Sequence, residues 1–268
     1  MFLGTFRQLL GDYMIDKRKL SRRFSRQAKT YDKYARVQKE MAEELLALCK
    51  TQPKHILEIG SGTGYLTQAL AAAFPNAKIH AIDIAEGMID LARDQVPSQK
   101  VTFECGDFED LNFNRTYDLV ISNATFQWFN HLEESLRKIK SLLEPQGCLI
   151  FSTFGHKTFH ELHSTYQALD PHTRPGQSFY SLEQLKALVI KEFPGLHGHE
   201  ETYVETFETC MDFFQSIKKI GANRSSRDQG ARDPDFIHQV MTYYENNFTV
   251  QNQVQATYQG LFITAHLT

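Results

Sequence analysis

The sequence is poor in the residues from which covalent or metal-held scaffolds are made. Its four cysteines, Cys49, Cys105, Cys148 and Cys210, are scattered and form no C-x-x-C pair. That argues against a zinc site or a dithiol redox pair and fits a reducing cytosol. No H-E-x-x-H arrangement occurs, and no metal is expected. No apolar run approaches the roughly 20 residues that span a bilayer. Near the start, Phe6, Leu9, Leu10 and Tyr13 recur with helical period, while Arg7 and Asp12 interrupt the apolar residues. This predicts an amphipathic helix rather than a signal peptide, and with it a cytoplasmic protein free of membrane. A G-K-[ST] phosphate loop is missing, which excludes P-loop chemistry. Internal repeats and low-complexity tracts are absent.

What is present suits one large domain, or one domain with an insertion: 268 residues, 41% apolar and 12% aromatic. Strand-like runs alternate with helical ones. "HILEI" at 55–59 enters a glycine-rich turn, and a helix runs from Tyr65 to Phe74. "AKIHAID", "VTFECGD", "YDLVISN" and "GCLIFSTF" read as further strands, separated by helices over Met88–Gln95 and around Leu132–Leu143. Such alternation predicts a parallel sheet with helices on both faces. After Phe154 helices are expected over Lys157–Leu169 and Leu182–Lys191, then a strand in "HEETYVETF", two helices, and a last strand at 253–266. Four sections follow: 1–50 as N-terminal helices covering a site, 51–154 as the ligand-binding core, 155–196 as a helical cap, and 197–268 completing the sheet.

"LEIGSGTGYL" places Gly60, Gly62 and Gly64 between a buried strand and a helix, where the backbone must turn tightly and approach a ligand. The spacing is G-x-G-x-G, not the G-x-G-x-x-G that cradles a pyrophosphate, and Glu58 just ahead suits a cation better than a phosphate. Asp83 closes the second strand, where a carboxylate can accept both hydroxyls of a ribose. Asp107 closes the third, within reach of an adenine amino group. Singly, an Asp at a strand end is more often a cap or turn residue. Together, at the carboxyl ends of successive strands, these residues point to a nucleoside.

The motifs "LEIGSGTG", "AIDIAEGMIDLAR", "CGDFEDL" and "DLVISNATFQW", in this order across residues 55–155, resemble those of class I S-adenosylmethionine-dependent methyltransferases. The resemblance implies α/β architecture: a Rossmann-like seven-stranded sheet with N-terminal helices and a small helical cap inserted between strands five and six. It implies S-adenosylmethionine as cofactor and S-adenosylhomocysteine as product. Gly60, Gly62 and Gly64 would contact the methionine part with Glu58 nearby, Asp83 the ribose, Asp107 and Phe108 the adenine, and Asn123 the methionine end.

Between Lys17 and Lys39 there are ten basic residues and one acid, Asp32, in a chain of net charge −3. On one helix over 18–38, Leu20, Phe24, Ala28, Tyr31 and Ala35 share a stripe that Gln38 continues, and Arg18, Arg22, Arg26, Lys29, Lys33 and Arg36 lie opposite. A charge run is commonly a solvated face, but one needing only solubility would mix its signs, so an anionic partner is favoured. Nucleic acid, anionic lipid and an acidic protein all satisfy the charge. The lack of an RNA-binding module and the docking of the apolar stripe count against the first two.

"FSRQAKTYDKYARVQ" is similar to the F-x-x-x-A-x-x-Y-D-x-x-A-x-x-Q opening of the malonyl-acyl carrier protein O-methyltransferases of biotin synthesis, and "ISNATFQWF" resembles their S-N-x-x-x-Q-W motif. This resemblance implies methyl transfer to the free carboxylate of a malonyl thioester, on acyl carrier protein or coenzyme A. An acidic carrier protein would dock on Arg22, Arg26 and Lys33. A carboxylate is already ionised near neutral pH, so no general base is needed. Tyr31 and Trp128 are the candidate catalytic residues, with Phe126 and Phe129 beside them; core packing is the alternative for each aromatic. Gln38 joins the cofactor-binding set. Arg224, with Arg227, Arg232, Arg174 and His156, is a candidate for the malonyl carboxylate. Two other readings remain: methylation of a small free acid, and a non-catalytic S-adenosylmethionine-binding regulator with a basic nucleic-acid surface.

Overall fold

The computed structural model describes residues 14–267 except 97, 174 and 222–232. The helix expected through Phe6 and Tyr13 lies outside the described residues, as do Arg174, Arg224, Arg227 and Arg232.

Two helices lead, α1 (Lys17–Tyr34) and α2 (Arg36–Leu48). Alternation follows: β1 (His55–Ile59), α3 (Tyr65–Ala73), β2 (Lys78–Asp83), α4 (Glu86–Gln95), β3 (Val101–Cys105) and β4 (Tyr117–Ser122). A 3-10 turn (Phe126–Trp128) precedes α5 (Leu132–Leu142) and β5 (Leu143–Phe154). The remainder is α6 (His160–Leu169), α7 (Leu182–Val189), β6 (Gly195–Phe207), α8 (Cys210–Lys219), α9 (Pro234–Asn247), β7 (Thr249–Val250) and β8 (Gln253–His266).

The strands order as β3-β2-β1-β4-β5-β8-β6, with the two-residue β7 paired to β8 alone. β3, β2, β1, β4 and β5 are parallel, and β8 runs antiparallel to both of its neighbours, β5 and β6. The seven-stranded Rossmann-like sheet is present, and β7 is an addition too short to show a period. The order reverses between β1 and β4, which makes the carboxyl ends of these strands the place for a ligand.

Both faces of the sheet are covered, so its central strands are nearly continuous apolar runs. Ile56, Ile79, Leu119 and Ile150 face α2, α3, α8 and α9, from which Met41, Leu70, Phe213 and Tyr244 pack against them. Leu57, Ile82, Val120 and Leu149 face the other way, under Leu136 and Ile139 of α5 and Leu185 and Val189 of α7. Within 155–196, α6 packs on α9 and β8, whereas α7 packs on α5 and β6.

The single helix expected over 18–38 is broken. Ala35 leaves the helical region at φ −92° and ψ 43°, while its N–H still bonds the Tyr31 carbonyl. Two tertiary bonds hold the bend: Lys39 Nζ donates to the Asp32 carbonyl at 3.0 Å, and Thr63 Oγ1 donates to Asp32 Oδ1 at 2.7 Å. The expected faces survive the break. Leu20 and Ala28 are buried and Arg18, Arg22, Arg26, Lys29, Lys33 and Arg36 are all exposed. Helix α1 lies so close on α4 that a Cβ on Gly87 would stand 2.7 Å from the Ser25 carbonyl oxygen.

Candidate active site

A cleft of about 660 Å³, its open mouth included, lies at the carboxyl ends of β1, β2 and β4 under helix α1. Its floor is the glycine turn. The amides of Gly60 and Ser61 both donate to the Ile82 carbonyl, at 2.8 and 2.9 Å, which lays the turn across the end of β2. Gly60 has φ +78°, and a Cβ there would lie 2.0 Å from Thr125 Oγ1. Gly62 has φ +54° with no atom within 4 Å of a Cβ position, so its backbone faces open space in the cleft wall. Gly64 serves another purpose: it caps α3 and packs on Ala92 and Val96, away from the cleft.

Asp83 reaches the cleft from the end of β2. Its Oδ2 accepts the Gly62 amide at 2.9 Å and its Oδ1 the Ala85 amide at 2.8 Å. Burial raises its carboxyl to about 6, although both amide bonds oppose the shift. Asp107 and Phe108 line the cleft beside it, with the Phe108 ring stacked at 5.7 Å on Phe129.

Three residues predicted to bind cofactor do not line the cleft. Glu58 is buried under α3, accepts Thr67 Oγ1 at 2.6 Å, and is pushed up to about 7, chiefly by burial. Gln38 is buried, and its carbonyl accepts Asn123 Nδ2 at 2.8 Å. Gly64 packs on α4, as above. Their contacts make them supports of the walls; the glycine pattern and the helical stripe cannot separate a support from a wall.

The segment "ISNATFQW" is a set of braces. Ser122 Oγ donates to the Ile59 carbonyl at 2.7 Å, tying β4 to the end of β1. Asn123 lines the cleft, holds α2 through the Gln38 carbonyl, and accepts Ser152 Oγ from β5 at 2.7 Å. Gln127 donates to the Ala124 carbonyl at 2.6 Å and accepts Thr153 Oγ1 at 2.8 Å. This fixes the 3-10 turn that presents Trp128.

Helix α1 forms the roof. Leu20, Phe24 and Tyr31 line the cleft from above, and Phe24 meets Trp128 edge-on at 5.7 Å and Tyr31 at 6.4 Å. Burial and then the Asp83 charge push the Tyr31 hydroxyl well above its ordinary pKa, so it is a hydrogen-bond donor and not a base. Phe126 is buried and stacks on Phe151 at 4.1 Å, as core. His156 does not line the cleft.

Sequence reasoning missed the closure at the front. Lys17 Nζ sits 3.0 Å from Asp107 Oδ2 and 2.6 Å from Glu109 Oε2, bridging α1 to the loop after β3. Next to it, Ile15 and Asn130 exchange two hydrogen bonds, at 2.7 and 3.1 Å. Lys138 Nζ gathers the carbonyls of Phe108, Glu109 and Leu111 from below and lies 4.8 Å from the Phe108 ring centre. Lys17 is the one cation among the described lining residues, and two carboxylates occupy it. Gly221 packs against Phe24 of the roof.

A parallel sheet reversing at β1 and β4, with a glycine turn and a buried acid facing one cleft, defines a Rossmann-like methyltransferase domain, and residues 56–147 match the family described as "Methyltransferase domain". Solved structures share the fold: a putative methyltransferase from Bacillus halodurans (TM-score 0.56, 15% identity, 84% of this chain and 98% of that one) and another from Haloferax volcanii, in complex with the Trm112 activator (0.54, 17%, 91% and 98%). Closer in sequence are malonyl-[acyl-carrier protein] O-methyltransferases from Priestia megaterium, 46% identical over 92% of this chain and 97% of that protein, and Acetivibrio thermocellus, 44% identical over 94% of each. The chain belongs to the malonyl-[acyl-carrier protein] O-methyltransferase family.

Proposed function

We propose that this protein transfers the methyl group of S-adenosylmethionine to the free carboxylate of a malonyl thioester carried on an acyl carrier protein, in biotin synthesis. The observation that carries the reading is the make-up of the cleft wall. It offers an acid at the ribose position, an open glycine backbone and an aromatic roof, and its described residues include no histidine. Asp83 holds the ribose hydroxyls, Phe108 packs on the adenine, and the backbone at Gly60 and Gly62 borders the methionine part. The open face at Gly62 leaves room that a side chain would fill, so the residues fit the cofactor. Bound there, it supplies an electrophilic methyl group on a sulfonium.

A carboxylate nucleophile needs no proton removed, in keeping with a cleft whose tyrosine is driven away from deprotonation. The chain's work is then positioning and exclusion of water. Tyr31 donates a hydrogen bond to substrate or cofactor, and Phe24, Trp128 and Phe129 dry the space where the carboxylate and sulfonium charges disappear. Arg224 remains the candidate for the malonyl carboxylate on the family resemblance. The exposed cations Arg22, Arg26 and Lys33 form no ion pair with an acid among the described residues, which favours docking of an acidic carrier protein.

The test is a substrate comparison with purified protein and S-adenosylmethionine, read by mass spectrometry of the methyl ester. Malonyl-acyl carrier protein is expected to be methylated best, malonyl-coenzyme A more slowly, and free malonate hardly at all. Preference for a free dicarboxylate would replace this reading with that of a small-acid methyltransferase.

A further inference from the structure

On the side of the sheet that packs α2, the edge strand β6 carries "HGHEETY". Successive strand residues point to opposite faces, so His197, His199, Glu201 and Tyr203 stand in one row. Glu44 of α2 meets that row. Its Oε1 lies 2.5 Å from His199 Nε2, and its Oε2 accepts the Tyr203 hydroxyl at 3.0 Å. Donor atoms of Glu44, His199 and Glu201 all lie within 4.8 Å of one another. The His199 ring is fixed by stacking on Phe262, 5.0 Å between centres and 10° between planes. The His197 ring centre is 6.2 Å from that of His199.

We propose that Glu44, His199 and Glu201 bind one divalent transition-metal ion, with Zn²⁺ the best fit, clasping α2 to the edge strand. One imidazole with two carboxylates is a borderline donor set, suited to zinc more than to magnesium or calcium, which take oxygen ligands. Four ligands at about 2.0–2.2 Å stand roughly 3.4 Å apart in a tetrahedron. Glu44 and His199 must therefore part by about 1 Å from their 2.5 Å contact to admit the ion, and the exposed Glu201, within 4.8 Å of both, moves in by a similar amount. Tyr203 orients the second Glu44 oxygen in the way outer partners orient metal ligands. Water or His197 fills the fourth position. The site is separate from the cleft, since none of these residues lines it. It departs from the expectation that the protein takes no metal: H-E-x-x-H is a helical spacing, whereas H-x-H-x-E serves the same purpose on a strand.

The experiment adds Zn²⁺ to metal-stripped protein and measures stoichiometry by equilibrium dialysis and thermal midpoint by calorimetry. One ion per chain and a rise of several degrees are expected, with no rise in Mg²⁺. His199→Gln and Glu201→Gln should each lose at least tenfold in affinity together with the thermal gain. Glu201 is exposed, so its variant keeps the fold. Equal binding by wild type and both variants would place the ion elsewhere and overturn the proposal. So would the absence of saturable binding below about 100 μM or binding without a thermal gain, leaving His199 and Glu44 as a hydrogen-bonded pair alone.

Discussion

Thr63 in the glycine turn donates its hydroxyl to Asp32 of α1 at 2.7 Å. The only acid in the basic run thus fastens the roof of the cleft to its floor. Asp32→Asn and Thr63→Val should each weaken S-adenosylmethionine binding by up to about tenfold, because a hydrogen bond to a charged group contributes about 1.5–3 kcal/mol and only part of that loss reaches the cofactor. The double variant should be little worse than either single one, since both remove the same bond. Additive losses, read by isothermal calorimetry, would show that the two residues act separately.

Asp83→Ala should cost at least tenfold in cofactor affinity with the fold intact, since two ribose bonds to a charged acceptor go at once. The pH dependence has a defined sign. Asp83 is raised from 3.8 to about 6 and Glu58 from 4.5 to about 7 in the folded state. Between about pH 4 and 7 the folded chain therefore binds more protons than the unfolded one, and these two acids make the cofactor-free protein less stable as pH rises through that window. Cofactor binding runs the other way, weakening as pH falls through 6, because the ribose hydroxyls need the ionised carboxylate. Denaturant melts and calorimetry from pH 5 to 8 would expose either sign being wrong.

Tyr31→Phe should lower turnover at least tenfold while the thermal midpoint moves by no more than a few degrees, as the ring still packs against Phe24. Unchanged kcat and KM in the folded variant would reduce Tyr31 to core.

Reversing Arg22, Arg26 and Lys33 to Glu should raise KM for malonyl-acyl carrier protein at least tenfold and leave that for a small malonyl thioester unchanged. All three side chains are exposed, so packing is preserved. The wild-type preference for the carrier-borne substrate should shrink with salt, because exposed charges are screened beyond about 8–10 Å at physiological ionic strength. A triple variant with the wild-type ratio of the two substrates would remove this face from docking.

Much of this was legible along the chain. Strand β1 stands at 55–59 as its apolar run predicts, β8 at 253–266, and Gly60, Gly62, Asp83, Asp107, Phe108, Asn123 and Tyr31 meet in one cleft. What stayed hidden is what depends on partners far apart in sequence. Nothing local marks Ala35 as a break, because alanine favours helix and the apolar stripe runs on past it; the bend is held from Thr63. Lys17 looks like one more base in a basic run until the fold brings Asp107 and Glu109 to it. Glycines share a spacing while one faces the cleft and another packs on α4. Periodicity reports which side of an element is apolar, and says nothing of which wall or brace the side becomes.

The place of β8 bears on how the chain is made. β8 lies between β5 and β6, hydrogen-bonded to β6 along nearly its whole length and to β5 through its second half, Gly260 to His266, yet it leaves the ribosome after either. Until residues 253–266 emerge, β6 has no neighbour to pair with and β5 presents a bare edge. The parallel half of the sheet can assemble early, but the strand that seals it arrives after a wait of many seconds at about 5–20 residues per second. Nascent chains stalled before Gln253 should be the ones that aggregate or recruit a chaperone.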